Sequence, residues 1–142
     1  MQDVLQVRTV KLDEVKLIGF TGDNLDDQHR LFVLMDEKIE QINTRISDNH
    51  FLVILPELIT LVAVEVKETI NVPNGMTAFL IPEDDYVIFK FEEKYVSDFW
   101  ESICTIENQT KYNIDLSKPR YEIFKPDLQS NGFTEWYIPI KH

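Results

Sequence analysis

The sequence predicts a fold that combines strands and helices in two similar halves. Residues 12–20 (LDEVKLIGF) resemble residues 81–89 (IPEDDYVIF), because each stretch has an apolar residue, an acidic turn and a strand ending in phenylalanine. Residues 51–58 (FLVILPEL) match residues 121–128 (YEIFKPDL) at their aromatic, proline, acidic and leucine positions. The offsets of 69 and 70 residues are nearly constant, and a helical pattern lies between the two markers in each half. We therefore infer an internal duplication.

Each half contains one pattern of apolar residues at helical spacing. In the first half the pattern follows the acidic residues Asp26 and Asp27, and its members are Leu31, Met35, Ile39, Ile42 and Ile46. In the second half Ser97 is a candidate N-cap, and the members are Val96, Phe99, Trp100, Ile103 and Ile106. We expect both helices to pack on the sheet.

Runs of apolar and β-branched residues predict four strands in each half, two before the helix and two after it. They lie near residues 4–10, 16–21, 51–55 and 61–66, and near residues 76–81, 86–91, 120–124 and 134–140. A turn at Pro73-Asn-Gly75 separates the halves without a flexible linker. We therefore expect one domain over residues 1–142, with half-repeats of about 1–70 and 71–142 that share one core.

Composition and charge argue against several classes of protein. The net charge is −11 and the basic residues form no stripe, which argues against direct nucleic acid binding. No apolar run reaches the length of a membrane span, and the first residues do not resemble a secretory signal. With Cys104 as the one cysteine, these features predict a cytoplasmic protein without a membrane.

Patterns for cofactors and metals are weak. The three histidines, His29, His50 and His142, are far apart in the sequence and lack the spacing of zinc ligands. The four glycines are scattered, so there is no phosphate-binding loop. We predict no metal and no cofactor.

Several stretches in the second half resemble the GyrI-like family of small-molecule-binding domains, within the AraC-type effector-binding superfamily. Residues 63–66 (AVEV) and 72–76 (VPNGM) are similar to the family's strand and its entry to the second half. Residues 81–89 resemble its Ile-Pro…Tyr-x-x-Phe hairpin, although Asp84-Asp85 stands where the family has Ala-Gly. Residues 121–124 (YEIF) and 135–140 (EWYIPI) resemble its last two strands.

This resemblance implies an α+β fold in which two pseudo-two-fold-related strand-helix-strand-strand repeats form an antiparallel sheet with a central ligand cleft. In transcription regulators, such domains sense organic cations and other hydrophobic drugs. The family also includes a gyrase inhibitor and some stand-alone hydrolases.

Glu122 is the principal candidate site residue. It stands where the first half has Leu52, and strand alternation puts it on one face with Arg120 and Phe124. A dehydrated carboxylate needs compensation, which Arg120, a tyrosine hydroxyl or a cationic ligand could provide. Glu122 also matches the cleft glutamate of the resembled family, and a carboxylate among aromatic rings suits an organic cation. The alternative is an ordinary surface glutamate.

Other candidates for ligand binding are weaker, and core packing is an alternative for each. Tyr137 matches the aromatic residue of the family's last strand and could hydrogen-bond Glu122. The remaining candidates are Tyr86, Phe20, Gly19, Trp100 and Phe124.

Three functions follow from this interpretation. The first is a stand-alone protein that binds a hydrophobic or cationic small molecule. The second is a hydrolase of electrophilic xenobiotics, with Glu122 as acid or base and Tyr137 as orienting donor. The third is an interaction protein with a regulator or gyrase as partner. The sequence predicts no oligomeric state.

Overall fold

The protein, described over residues 6–142 of a computed structural model, consists of eight strands and three short α-helices in that range. Residues 4 and 5 of the first predicted strand lie outside it. The strands are β1 Gln6–Leu12, β2 Val15–Gly22, β3 Arg45–Ile54, β4 Thr60–Val66, β5 Thr77–Ile81, β6 Asp84–Glu92, β7 Arg120–Phe124 and β8 Phe133–Pro139. The helices are α1 Gln28–Lys38, α2 Ile106–Lys111 and α3 Pro126–Gln129.

All eight strands join one antiparallel sheet in the order β1-β6-β8-β7-β3-β4-β2-β5. This order is symmetric. The strands β1 to β4 of the first half correspond to β5 to β8 of the second, and exchanging each strand for its counterpart gives the same order read backwards. The centre of symmetry lies between β3 and β7. The α+β fold of two related halves is thereby confirmed.

The first strand of each half pairs with the other half. β1 pairs with β6, and β5 pairs with β2. β5 and β6 therefore do not form the hairpin expected for residues 81–89, and Asp84 and Asp85 begin β6 instead of forming a turn. Two residues link β1 to β2 and two link β5 to β6, although the linked strands lie near opposite ends of the sheet order. Since two residues span only several ångströms, the sheet must curl until its ends approach.

The curl gives the sheet an inner and an outer face. The inner face is filled by one apolar cluster to which all eight strands contribute, including Leu17, Phe51, Tyr86, Tyr121 and Tyr137. The outer face carries two separate clusters, one in each half. Such a division leaves a seam on the outer face between the clusters, above the centre of the sheet.

The first helix covers the outer face of its half as predicted, but it is shorter. Leu31 and Met35 are fully buried against β2 and β4, while the chain turns after α1 so that Ile46 lies on β3 and is 53% exposed. A 3-10 turn at Leu25–Asp27 precedes α1, and Asn24 and Asp27 cap it reciprocally. The predicted acidic start is therefore a capping box.

The prediction of a continuous second helix is wrong. The segment is a 3-10 helix at Glu93–Asp98, a π-helical turn at Phe99–Ile103 and then α2, whose N-cap is Thr105 rather than Ser97. In the π-turn the amide of Cys104 donates to the carbonyl of Phe99. The π-turn begins at Phe99, which is completely buried and packs against the rings of Phe91 and Trp136.

No helix in residues 6–142 combines the length and apolar character needed to cross a membrane.

Candidate functional site

The central seam of the outer face forms a cleft between the helical segments of the two halves. Its empty volume is about 640 Å³, including space open to solvent. The space that a ligand could fill within it is about 190 Å³, which is below the usual range of drug-sized sites. The lining residues are Leu25, Gln28, Leu52, Ile54, Val96, Trp100, Arg120, Tyr121, Glu122, Trp136 and Ile138.

Leu52 and Glu122 form the floor of this cleft. They are register partners in the β3–β7 pair and so lie at the centre of symmetry of the sheet. On the other side of Glu122, the register partner is Trp136 of β8. The carboxylate therefore lies between an aliphatic and an indole side chain on one face of the sheet.

The Glu122 side chain is half-buried, and its ionised form is poorly solvated. Loss of hydration, assisted by repulsion from Glu93, raises the pKa of its carboxyl group to about 7. The Thr134 hydroxyl donates a hydrogen bond to Glu122 and opposes this rise. No basic side chain of residues 6–142 contributes to its pKa. Glu122 thus exchanges its proton near neutral pH.

Trp136 also contacts the carboxylate through its indole group. The Nε1–H lowers the pKa of Glu122, yet Nε1 is buried without a hydrogen bond of ordinary geometry. We take the contact as a weak polar interaction. The indole N–H therefore acts on Glu122 and partly offsets the effect of burial on its pKa.

Arg120 and Trp100 line the cleft beside Glu122. The guanidinium carbon of Arg120 lies 5.0 Å from the centroid of the Trp100 ring, in a cation–π contact. Arg120 is half-buried, and loss of hydration lowers the pKa of its guanidinium. The cleft therefore contains one acidic and one basic group on neighbouring same-face positions of β7.

The predicted site residues divide between the two faces of the sheet. Glu122 and Trp100 line the cleft. Phe124 and Phe20 share the outer face but belong to the cluster beneath α1, where the Phe124 ring packs edge-on against Phe32 at 5.0 Å.

Tyr137, Tyr86 and Gly19 lie on the inner face and do not line the cleft. The expected hydrogen bond from Tyr137 to Glu122 is wrong, because Tyr137 pairs in register with Tyr121 and stacks on it at 4.8 Å. Its hydroxyl donates to Glu135 and accepts from Lys125.

Gly19 has a packing role. A Cβ atom there would lie 2.1 Å from the carbonyl oxygen of Val62 and 2.6 Å from the Cβ of Ala63. Only glycine allows β2 and β4 to approach this closely.

Sequence reasoning missed Trp136 and Leu52 as cleft residues. Strand alternation puts Trp136 on the opposite face from Tyr137, but alternation within one strand cannot say which face meets Glu122. The register between β7 and β8 decides that point.

One group of potential metal ligands lies outside the cleft, at Asp84, Asp85 and His142. Asp84 already accepts hydrogen bonds from Lys118 Nζ at 3.0 Å and from His142 Nε2 at 2.6 Å. The lysine supplies the positive charge that a metal would otherwise bring, so we interpret this group as an ion-pair network.

The comparison with protein families agrees with this arrangement. The model of the Cass2 family, described as integron-associated effector binding protein, matches residues 9–140. The chain belongs to the Cass2 family. This membership assigns small-molecule binding to the chain and confirms the resemblance to GyrI-like effector-binding domains.

Solved structures share the fold of this Cass2-family chain. The structure of SAV2435 bound to tetraphenylphosphonium matches with a TM-score of 0.75 and 17% identity, over 96% of this chain and 94% of that one. The C-terminal domain of EcmrR matches with a TM-score of 0.70 and 11% identity, over 97% and 98%. An integron cassette protein from Vibrio cholerae matches with a TM-score of 0.56 and 11% identity, over 95% of both chains. No curated protein matches the sequence.

Proposed function

We propose that this protein binds hydrophobic or cationic small molecules in the central cleft, with Glu122 as the counter-charge. The observation that carries the proposal is a half-buried carboxylate, without a basic partner in residues 6–142, on the floor of a largely apolar cleft. A ligand cation would stabilise the ionised carboxylate, and the rings of Trp100 and Trp136 would contact its apolar surface. The fold it shares with SAV2435, solved with tetraphenylphosphonium, supports this ligand class.

Tetraphenylphosphonium is a suitable probe, because it is permanently charged and has no hydrogen-bond donor. Triphenylphosphine oxide is a neutral compound with similar rings. We expect the protein to bind the cation more tightly than the neutral compound. Glu122→Gln should lower the affinity for the cation by about tenfold or more and change the affinity for the neutral compound little. Isothermal titration calorimetry at pH 8 measures both.

Glu65→Gln provides the matched control. Burial also raises the pKa of the Glu65 carboxyl group, but this residue pairs with Leu17 on the inner face and does not line the cleft. The control should bind both compounds like the unmodified protein. Equal losses for the cation and the neutral compound in Glu122→Gln would refute the electrostatic role.

Hydrolysis of an electrophilic ligand is the second candidate function, because a pKa of about 7 suits Glu122 to general acid or base catalysis. Tyr137 lies on the other face, so this reaction would have to use Thr134 or Trp136 as the polar neighbour of Glu122. More than one product molecule per protein molecule, lost in Glu122→Gln, would favour hydrolysis. Binding without turnover of a panel of strained electrophiles would favour the binding function.

A further inference from the structure

Arg120 adds a basic group to the cleft that a simple cation receptor does not need. Its side chain leaves β7 on the same face as Glu122, and its guanidinium stacks on Trp100. A cationic ligand that approaches Glu122 would meet repulsion from this second charge.

No carboxylate of residues 6–142 forms a salt bridge with Arg120, and its guanidinium N–H groups make no hydrogen bond with a side chain or carbonyl in that range. The contact with Trp100 satisfies one flat side of the group. Another partly buried basic residue, Lys125, has two partners, Glu135 at 3.2 Å and the Tyr137 hydroxyl at 3.2 Å. Arg120 is therefore half-buried with its edge donors unused.

An unused guanidinium edge recognises a planar oxyanion. It presents parallel N–H donors that match the two oxygens of a carboxylate, and partial dehydration strengthens that pairing. Arg120 and Glu122 are two residues apart on one strand face, so their backbone positions are about 6.6 Å apart. One aromatic ligand can contact both groups at this spacing.

We propose that the ligand of this cleft is amphoteric: an aromatic cation that also carries a carboxylate, with Glu122 binding the cation and Arg120 binding the carboxylate. This inference rests on the proposed binding function. It narrows the ligand class from organic cations in general to those with an acidic group several ångströms from the positive charge.

Two dyes provide a matched pair for the test. Rhodamine 110 has a free carboxylate on an aromatic cation, and rhodamine 123 is its methyl ester. Fluorescence anisotropy with the full chain at pH 8 gives both affinities. We expect rhodamine 110 to bind at least about tenfold more tightly than rhodamine 123.

Arg120→Gln should abolish this preference. It should lower the affinity for rhodamine 110, and it should leave the affinity for rhodamine 123 unchanged or higher. Arg120→Lys keeps the charge but loses the paired donors, so it should retain only part of the preference. The control Arg30→Gln removes an arginine that is 58% exposed on α1 and should keep the full preference. Thermal unfolding of each variant verifies that the fold is intact.

A preference that is absent in the unmodified protein, or that persists in Arg120→Gln, would overturn the inference. If tetraphenylphosphonium binds but the two dyes bind equally, only the amphoteric class is wrong. If tetraphenylphosphonium and both dyes fail to bind, both the proposed function and the amphoteric ligand class are wrong.

Discussion

Leu52 and Glu122 lie directly opposite each other in the β3–β7 pair, at equivalent positions of the two halves. A symmetric protein would have the same residue at both positions. The replacement of one leucine by a glutamate breaks the symmetry at the point where the two halves meet, and it puts a carboxylate where an apolar side chain would pack without cost.

The first prediction concerns stability and pH. The Glu122 carboxyl group has a pKa of about 7 in the folded protein against an ordinary value of 4.5. Below pH 4.5 both states hold the proton; between pH 4.5 and 7 the unfolded chain releases it first. Its contribution to the free energy of unfolding should therefore be largest below pH 4.5 and decrease by at most about 3 kcal/mol as the pH rises to 7.

Urea unfolding at pH 5 and pH 7.5 measures this contribution. The free energy of unfolding of Glu122→Gln should depend less on pH than that of the unmodified protein. Glu101→Gln, at an exposed position, should behave like the unmodified protein. The same pH dependence in Glu122→Gln would show that other acids cause it.

The second prediction concerns cation binding and pH. Tetraphenylphosphonium does not titrate, so a change in its affinity reports on the protein. If only ionised Glu122 binds the cation, affinity should be about tenfold weaker at pH 6 than at pH 8 and change little above pH 8. Calorimetry on Glu122→Gln should give weak binding that is independent of pH; a persistent tenfold change would assign the effect to another group.

The third prediction concerns the Thr134 hydroxyl. Thr134 is completely buried, and its hydrogen bond stabilises ionised Glu122. Thr134→Val keeps the shape but removes the donor, so it should raise the pKa of Glu122 above 7 and weaken cation binding at pH 7, with affinity recovering at higher pH. A carbon-13 NMR titration of the carboxyl group measures the pKa.

Thr60→Val is the control for this substitution. Thr60 is also completely buried, but its hydroxyl donates to the carbonyl of Asn24. It should leave the pKa of Glu122 unchanged. If the pKa of Glu122 is unchanged in Thr134→Val, the Thr134 hydroxyl does not stabilise the ionised carboxylate.

The fourth prediction distinguishes the two faces of the sheet. Tyr137→Phe removes a hydroxyl bonded to Glu135 and Lys125 on the inner face, so the free energy of unfolding should fall by about 1 kcal/mol. Binding of tetraphenylphosphonium should not change, because Tyr137 does not line the cleft. A loss of affinity as large as that of Glu122→Gln would put Tyr137 back into the site.

The sequence predicted the strands and the repeat well because both depend on local patterns. Pro56 and Pro126, at an offset of 70 residues, each begin a short helical turn after a strand. The predicted strand at 120–124 coincides with β7. Apolar periodicity is a property of neighbouring residues, so a single chain displays it.

Features that depend on distant residues could not be predicted in this way. The π-turn at Phe99–Ile103 coincides with contacts of Phe99 with Phe91 and Trp136, which local periodicity does not reveal. The choice of Tyr137 as a neighbour of Glu122 failed because the pairing of β7 with β8 sets which side chains meet. The requirement for glycine at position 19 is likewise set by β4, which lies over forty residues away.

The exchange of β1 and β5 between the halves has a consequence for how the molecule is made. During synthesis β1 is made well before its partner β6, which begins at Asp84. β1 therefore has no strand to pair with until more than seventy further residues have been added. In either half alone, β1 or β5 would lack the strand with which it pairs. The cleft is completed late in synthesis, because its residues on β7 and β8 follow those on β3 by about seventy residues.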